Sequence, residues 1–152
     1  MKRIGLMSMA FWKKRKEPKA QTAIDEKSQR AIDVAALIID LQFQRARDLP
    51  GFEELFFCPF VRGYVSGAFM AAMQAFKLPG YGEDTKTLAF IVGGHIHIMG
   101  EKSGFTYAMD STRLQGNRDY DLGNRTGGQE LIDFLNKEVI VPTKLYNYCK
   151  GI

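Results

Sequence analysis

The chain has few of the residues that most often carry chemistry or covalent cross-links. Its 152 residues include two cysteines, two histidines and one tryptophan. Cys58 and Cys149 are too few for a disulfide framework in a domain of this size, so we expect free thiols and a reducing compartment, which favours the cytoplasm. The chain also lacks the glycine-rich patterns that bind dinucleotides or phosphates.

Long hydrophobic runs are missing as well. The uncharged interior of the most apolar segment spans residues 63–76, and Arg62 and Lys77 close it at either end. A helix that crosses a bilayer needs roughly 20 such residues. At 45% hydrophobic content, the chain is instead typical of one globular domain with a single core.

Positive charge is concentrated at the start of the chain. Residues 1–20 hold seven of the 21 lysines and arginines and one acidic residue, Glu17, so the remaining residues are net negative although the whole chain carries +4. The sequence therefore predicts a basic N-terminal extension over 1–20 and a mildly acidic domain over 21–152. This distribution disfavours a nucleic-acid surface spread over the domain.

The N-terminal extension is open to three interpretations. It is a disordered solubilising tail, an organelle-targeting presequence, or an anchor at the surface of an anionic membrane. In the anchor, aromatic side chains would insert at the headgroups while the basic run meets anionic lipid. The residues that would make this contact are Phe11, Trp12, Lys13, Lys14, Arg15 and Lys16.

Residues 59–78 form the segment around which the domain is organised. Pro59 suits the first turn of a helix, and the segment is apolar around most of its circumference. Small residues recur there at every fourth position, so they lie along one side of a helix where another backbone can approach closely. These predicted helix-packing residues are Gly63, Gly67, Ala71 and Ala75.

Helical periodicity also marks the segments on either side. A stripe of apolar residues predicts a helix from Thr22 to about Asp48, followed by a short helical turn within residues 52–57. The last long helix has two possible starts. A capping box at residues 126–129 would begin it there; alternatively it begins near Asn117, and Gly123 and Gly127 form a second small-residue notch.

Residues 85–109 fit two structures. Apolar residues recur at intervals of three and four, as in a helix, but they also alternate, as in a hairpin of two strands. We favour the helix because an isolated hairpin is marginal without a sheet to join. The predicted fold is all-α, a single domain of four to five packed helices behind the basic extension; the alternative is α+β with a hairpin at about 86–109.

One cluster has the composition of a metal site. His95 and His97 would share one face of a strand, and Glu101 would complete a three-ligand site for a divalent transition metal. The pattern His-x-His-x-x-x-Glu resembles the core of the first cupin motif over about seven residues. The family's second motif needs a further histidine, which this chain does not have. On a helix, residues two apart point in nearly opposite directions, and the site is lost.

The sequence favours a non-enzymatic function without a cofactor. Catalytic patterns are missing, while apolar and aromatic residues are plentiful, so we expect a small helical interaction or scaffold protein. It would associate with itself or dock on a protein partner, with the basic extension adding contact to an anionic membrane surface; nucleic acid is a less favoured partner. The alternative is a metal-binding protein or metal-dependent enzyme centred on His95, His97 and Glu101.

Overall fold

Seven helices and no strand make up residues 19–152, the part of the chain described by the computed structural model; side chains are described from residue 26 onward. The all-α prediction is confirmed, with more helices than predicted because two are very short. The helices are α1 (Lys19–Ala46), α2 (Phe52–Leu55), α3 (Pro59–Ala75), α4 (Asp84–Met99), α5 (Glu101–Thr112), α6 (Arg118–Leu135) and α7 (Lys144–Lys150). None of these is long and apolar enough to cross a bilayer.

The alternative hairpin at 86–109 is wrong, because two helices, α4 and α5, occupy this segment. They meet at Gly100, whose φ of 90° suits a residue without a Cβ. Two further glycines let the helices pack closely. A Cβ on Gly94 would collide with the ring of Phe69, and one on Gly104 would lie 2.6 Å from the carbonyl oxygen of His95. Close packing therefore offsets the low helix propensity of these glycines.

The apolar segment predicted to organise the domain is helix α3, and 12 of its 17 residues are buried. It packs most extensively against α6. Gly63 lies against the backbone at Tyr120, and Gly67 against the backbone at Asn124. In return, Gly123 lies against the carbonyl of Phe60 and Gly127 against that of Tyr64. Because the residue numbers on both helices rise together, α3 and α6 run parallel.

Of the two predicted starts for α6, the one near Asn117 is confirmed. The Asn117 side chain caps the helix by accepting hydrogen bonds from the backbone N–H groups of Asp119 and Tyr120, both at 3.0 Å. The second small-residue notch is also present, since Gly123 and Gly127 both face α3. The first notch is shorter than predicted: Ala71 is buried, but Ala75 is exposed near the end of α3.

A buried polar network joins three helices and anchors α7. Glu130 accepts hydrogen bonds from the hydroxyl of Tyr64 and from the backbone N–H groups of Thr143 (3.0 Å) and Lys144 (3.2 Å). Gln42 donates to the Tyr64 hydroxyl (2.9 Å) and accepts from the backbone N–H of Tyr146 (3.0 Å). Side chains of α1 and α6 thus satisfy the free N–H groups at the start of α7.

Candidate functional site

An aromatic cleft that is also lined by two basic side chains opens between the α2–α3 junction and the α4–α5 turn. We call it the Arg62 cleft; its volume is about 600 Å³. That size lies within the range of ligand pockets in proteins. The apolar lining consists of Phe43, Phe56, Phe57, Ile98, Met99 and Tyr107. The polar lining consists of Arg62, Lys102, Ser103, Thr106 and Asp110.

Arg62 is held rigidly at the cleft. Its Nε donates to the carbonyl of Phe57 (2.8 Å), and its Nη1 donates to the carbonyl of Tyr107 and to the hydroxyl of Ser111, both at 3.0 Å. The guanidinium also lies over the Tyr107 ring, 4.4 Å from its centroid. A half-buried arginine is therefore fixed by neutral acceptors and an aromatic face.

The aromatic wall is a connected cluster. The Phe56 ring lies 5.3 Å from Phe43, 5.0 Å from Phe57 and 4.9 Å from Tyr107 between centroids. The Tyr107 hydroxyl donates to the carbonyl of Phe56 (2.6 Å), and burial raises the pKa of this phenol, so it stays a neutral donor. Phe57 lies at the rim and is 56% exposed. The wall thus has a buried base and an accessible aromatic edge.

His95 lies behind the cleft, in the core. Its ring packs between Phe69 and Tyr107, with both centroids 5.7 Å away, and its Nδ1 lies 2.8 Å from the carbonyl of Ile91. Its Nε2 is buried and has no hydrogen-bond partner among the described residues. Burial is the largest cause that lowers the pKa of His95, to about 4; the Ile91 carbonyl opposes this shift, and nearby Arg62 adds to it. This histidine is neutral at physiological pH.

The predicted metal ligands are not brought together as a metal-holding group. His95 is buried, whereas His97 is exposed and its Nε2 lies 3.7 Å from Asp33 on α1. Glu101 begins the next helix and is exposed. Among the side chains of residues 26–152, no group of three or more His, Cys, Asp or Glu is placed to hold a metal ion. The helical geometry of α4 is the reason, since it turns His95 and His97 to different sides.

Two other sequence expectations have different outcomes. Cys58 and Cys149 are free thiols, as predicted. Burial raises the pKa of Cys149 to about 11, with Cys58 nearby adding to the shift, so the Cys149 thiol stays protonated at neutral pH. The residues predicted to contact a membrane or polyanion, from Phe11 to Lys16, lie outside the described residues. This contact remains a prediction.

Sequence reasoning missed the cleft. It treated Arg62 as the charge that closes an apolar helix. A signal was present in the aromatic pair Phe56–Phe57 placed five to six residues before an arginine at a helix start. The other side of the cleft comes from Lys102 and Tyr107, more than 35 residues away in the sequence, and periodicity does not place them there.

The fold and this site define an all-α protein with an aromatic, basic cleft. No protein-family model, curated protein or solved structure matches the chain.

Proposed function

We propose that this chain is a non-enzymatic helical interaction protein that docks on a protein partner through the Arg62 cleft. The observation that carries the proposal is Phe57, an aromatic side chain 56% exposed at the rim of the cleft and backed by Phe56 and Tyr107. Aromatic anchors beside an arginine are the composition most enriched at the centres of protein interfaces.

Three buried polar side chains of the core have a structural role, which supports a binding function at the cleft. Tyr64, Gln42 and Glu130 are all buried and hydrogen-bonded to one another or to backbone groups. Burial and the neighbouring Glu130 raise the pKa of Tyr64 well above its ordinary value, so it serves as a neutral donor inside the fold. These groups are used in holding helices together. In contrast, the cleft exposes Phe57 and Lys102, and its Arg62 is half-buried.

Selection of short random peptides displayed on phage, with the full-length protein immobilised, tests the proposal. Enriched peptides should bind the wild type and the Phe105→Ala variant equally, because Phe105 is 52% exposed but does not line the cleft. The Phe57→Ala variant should bind them about tenfold more weakly or worse, which is about 1.4 kcal/mol. Neither variant removes a side-chain hydrogen bond.

Three outcomes would overturn the proposal. One is the absence of any enriched peptide. Another is equal binding by the Phe57→Ala variant, which would place the interaction elsewhere. The third is a dimer in sedimentation analysis that Phe57→Ala converts to a monomer, because the occupant of the cleft would then be a second copy of the chain.

A further inference from the structure

The hydrogen bonds that hold Arg62 in place use only some of the donors of its guanidinium group. An arginine has five N–H donors in a fixed planar fork. Those on Nε and Nη1 point at Phe57, Tyr107 and Ser111. Nη2 makes no hydrogen bond to a side chain or backbone group of residues 26–152. Arg62 itself lines the cleft. Arg62 therefore brings to the cleft a fixed, positively charged group with two donors not used by the described residues.

Arg62 forms no ion pair with a carboxylate among the described residues. All three acceptors of Arg62 are uncharged oxygen atoms. Asp110, the carboxylate that lines the cleft, lies 3.6 Å from Arg113, which is outside the cleft. Lys102 adds a second positive charge from the first turn of α5. A half-buried arginine commonly has a carboxylate or phosphate partner, because planar oxyanions match its fork.

We infer that the partner segment that occupies the Arg62 cleft presents an aspartate or glutamate side chain beside an aromatic or aliphatic one. The carboxylate accepts from the Nη2 donors of Arg62, with Lys102 as a second cation, and the apolar side chain packs on Phe57 and Phe56. This inference rests on the proposed function and specifies the chemistry of its partner. The cleft also sets the spacing between these two partner side chains, because the Arg62 guanidinium lies 5.5 Å from the centroid of the Phe57 ring. An acidic residue and an apolar residue that are close neighbours in the partner satisfy both contacts.

Synthetic peptides provide the test. The probes are an enriched peptide from the selection above and its matched copy with each Asp changed to Asn and each Glu to Gln. The uncharged copy should bind the full-length protein at least about tenfold more weakly, because a charge-assisted hydrogen bond becomes a neutral one. Binding of the acidic peptide should also weaken as salt is added, because part of the attraction is electrostatic.

Protein variants separate charge recognition from a loss of fold. Arg62→Lys should weaken binding of the acidic peptide. Because Arg62 also forms hydrogen bonds to three neighbouring residues, the melting temperature of this variant must be measured as well. Lys102→Glu is the second variant, because Lys102 is exposed and forms no ion pair among the described residues. It should reduce binding of the acidic peptide and not that of the uncharged copy. Lys137→Glu, the same charge reversal at an exposed position outside the cleft, should bind both like the wild type.

The outcomes distinguish this inference from the proposed function. The inference would be overturned if peptides without an acidic residue bind the wild type and not the Phe57→Ala variant. The proposed function would still stand in that case. The same holds if the acidic and uncharged peptides bind equally, or if Lys102→Glu matches Lys137→Glu. Selection that yields no cleft-dependent peptide would overturn both.

Discussion

The carboxylate of Glu130 accepts the hydrogen bond of the Tyr64 hydroxyl inside the core, 66 residues away along the chain. The same carboxylate accepts hydrogen bonds from the backbone N–H groups of Thr143 and Lys144 at the start of α7. One side chain thus joins the parallel pair α3 and α6 to the last helix. The positive end of the α7 dipole favours a carboxylate at this position.

Replacing Glu130 should therefore cost more stability than replacing Tyr64. Glu130→Gln puts a donor where three donors converge, and the free energy of unfolding should fall by about 2–4 kcal/mol. Tyr64→Phe removes two hydrogen bonds, but Gln42 keeps the carbonyl of Ile38 and Glu130 keeps the N–H groups of α7. We therefore expect a smaller loss of about 1–2 kcal/mol. Urea denaturation measures both. Gln129→Ala, on the exposed side of the same helix, is the control and should change stability by less than about 0.5 kcal/mol. Equal losses for Glu130→Gln and the control would contradict this role for the network.

The α3–α6 contact makes a sharp prediction about two helical glycines. Gly67→Ala should lower the free energy of unfolding by about 2–3 kcal/mol, because the new Cβ would collide with the backbone of Asn124. Gly93→Ala should raise it by about 0.5–1 kcal/mol, because alanine favours the helix and, among the described residues, no atom beyond the adjoining helix backbone lies within 4 Å of its Cβ position. Thermal or urea melts of the two variants check this. If both variants gain stability, α3 and α6 are not in backbone contact.

His95 should make stability depend on pH. Its folded pKa of about 4 lies below the ordinary 6.5, so between these values the unfolded chain binds a proton that the folded chain does not. The free energy of unfolding should thus fall as the pH is lowered from about 6.5 to 4, by about 3 kcal/mol in all. His95→Leu should remove this loss, whereas His97→Gln should retain it. Urea denaturation at a series of pH values, compared with wild type, measures the difference. An unchanged pH dependence in His95→Leu would show that His95 titrates normally.

The basic extension predicts binding to anionic membrane surfaces. Each basic residue near anionic lipid contributes about 1 kcal/mol, and Phe11 and Trp12 add burial at the headgroups. Full-length protein should bind vesicles that contain anionic lipid, less at high salt, and removal of residues 1–18 should abolish binding while leaving helix α1 from Lys19 complete. Trp12→Ala should weaken binding with all charges kept.

Nucleic acid is the necessary comparison, because a basic cluster attracts any polyanion. Duplex DNA and RNA run beside the vesicles should bind more weakly than anionic lipid and should not respond to Trp12→Ala. Equal vesicle binding by the full-length and shortened chains would contradict the membrane prediction.

Periodicity predicted the helices well where one face of each is buried. The apolar stripe of α1 and the small-residue series of α3 are properties of local spacing, and a spacing of three to four residues fixes which side chains share a face. Even Gly123 and Gly127 could be seen as a notch in the sequence. The segment at 85–109 was ambiguous because its apolar residues fit both periods. The close packing of α4 with α3 and α5 is the reason that Gly94 and Gly104, which have low helix propensity, lie within helices.

The sequence by itself thus determined the helical class, the central place of α3 and the side on which another helix packs. Only the tertiary structure decided that α6 is that helix, that Glu130 and Gln42 meet at Tyr64, and that Arg62 and Lys102 line one aromatic cleft. The physical reason is that helix formation depends on neighbours within about four residues. The cleft and the polar network join residues up to 104 positions apart, and local spacing carries no information about contacts at that range.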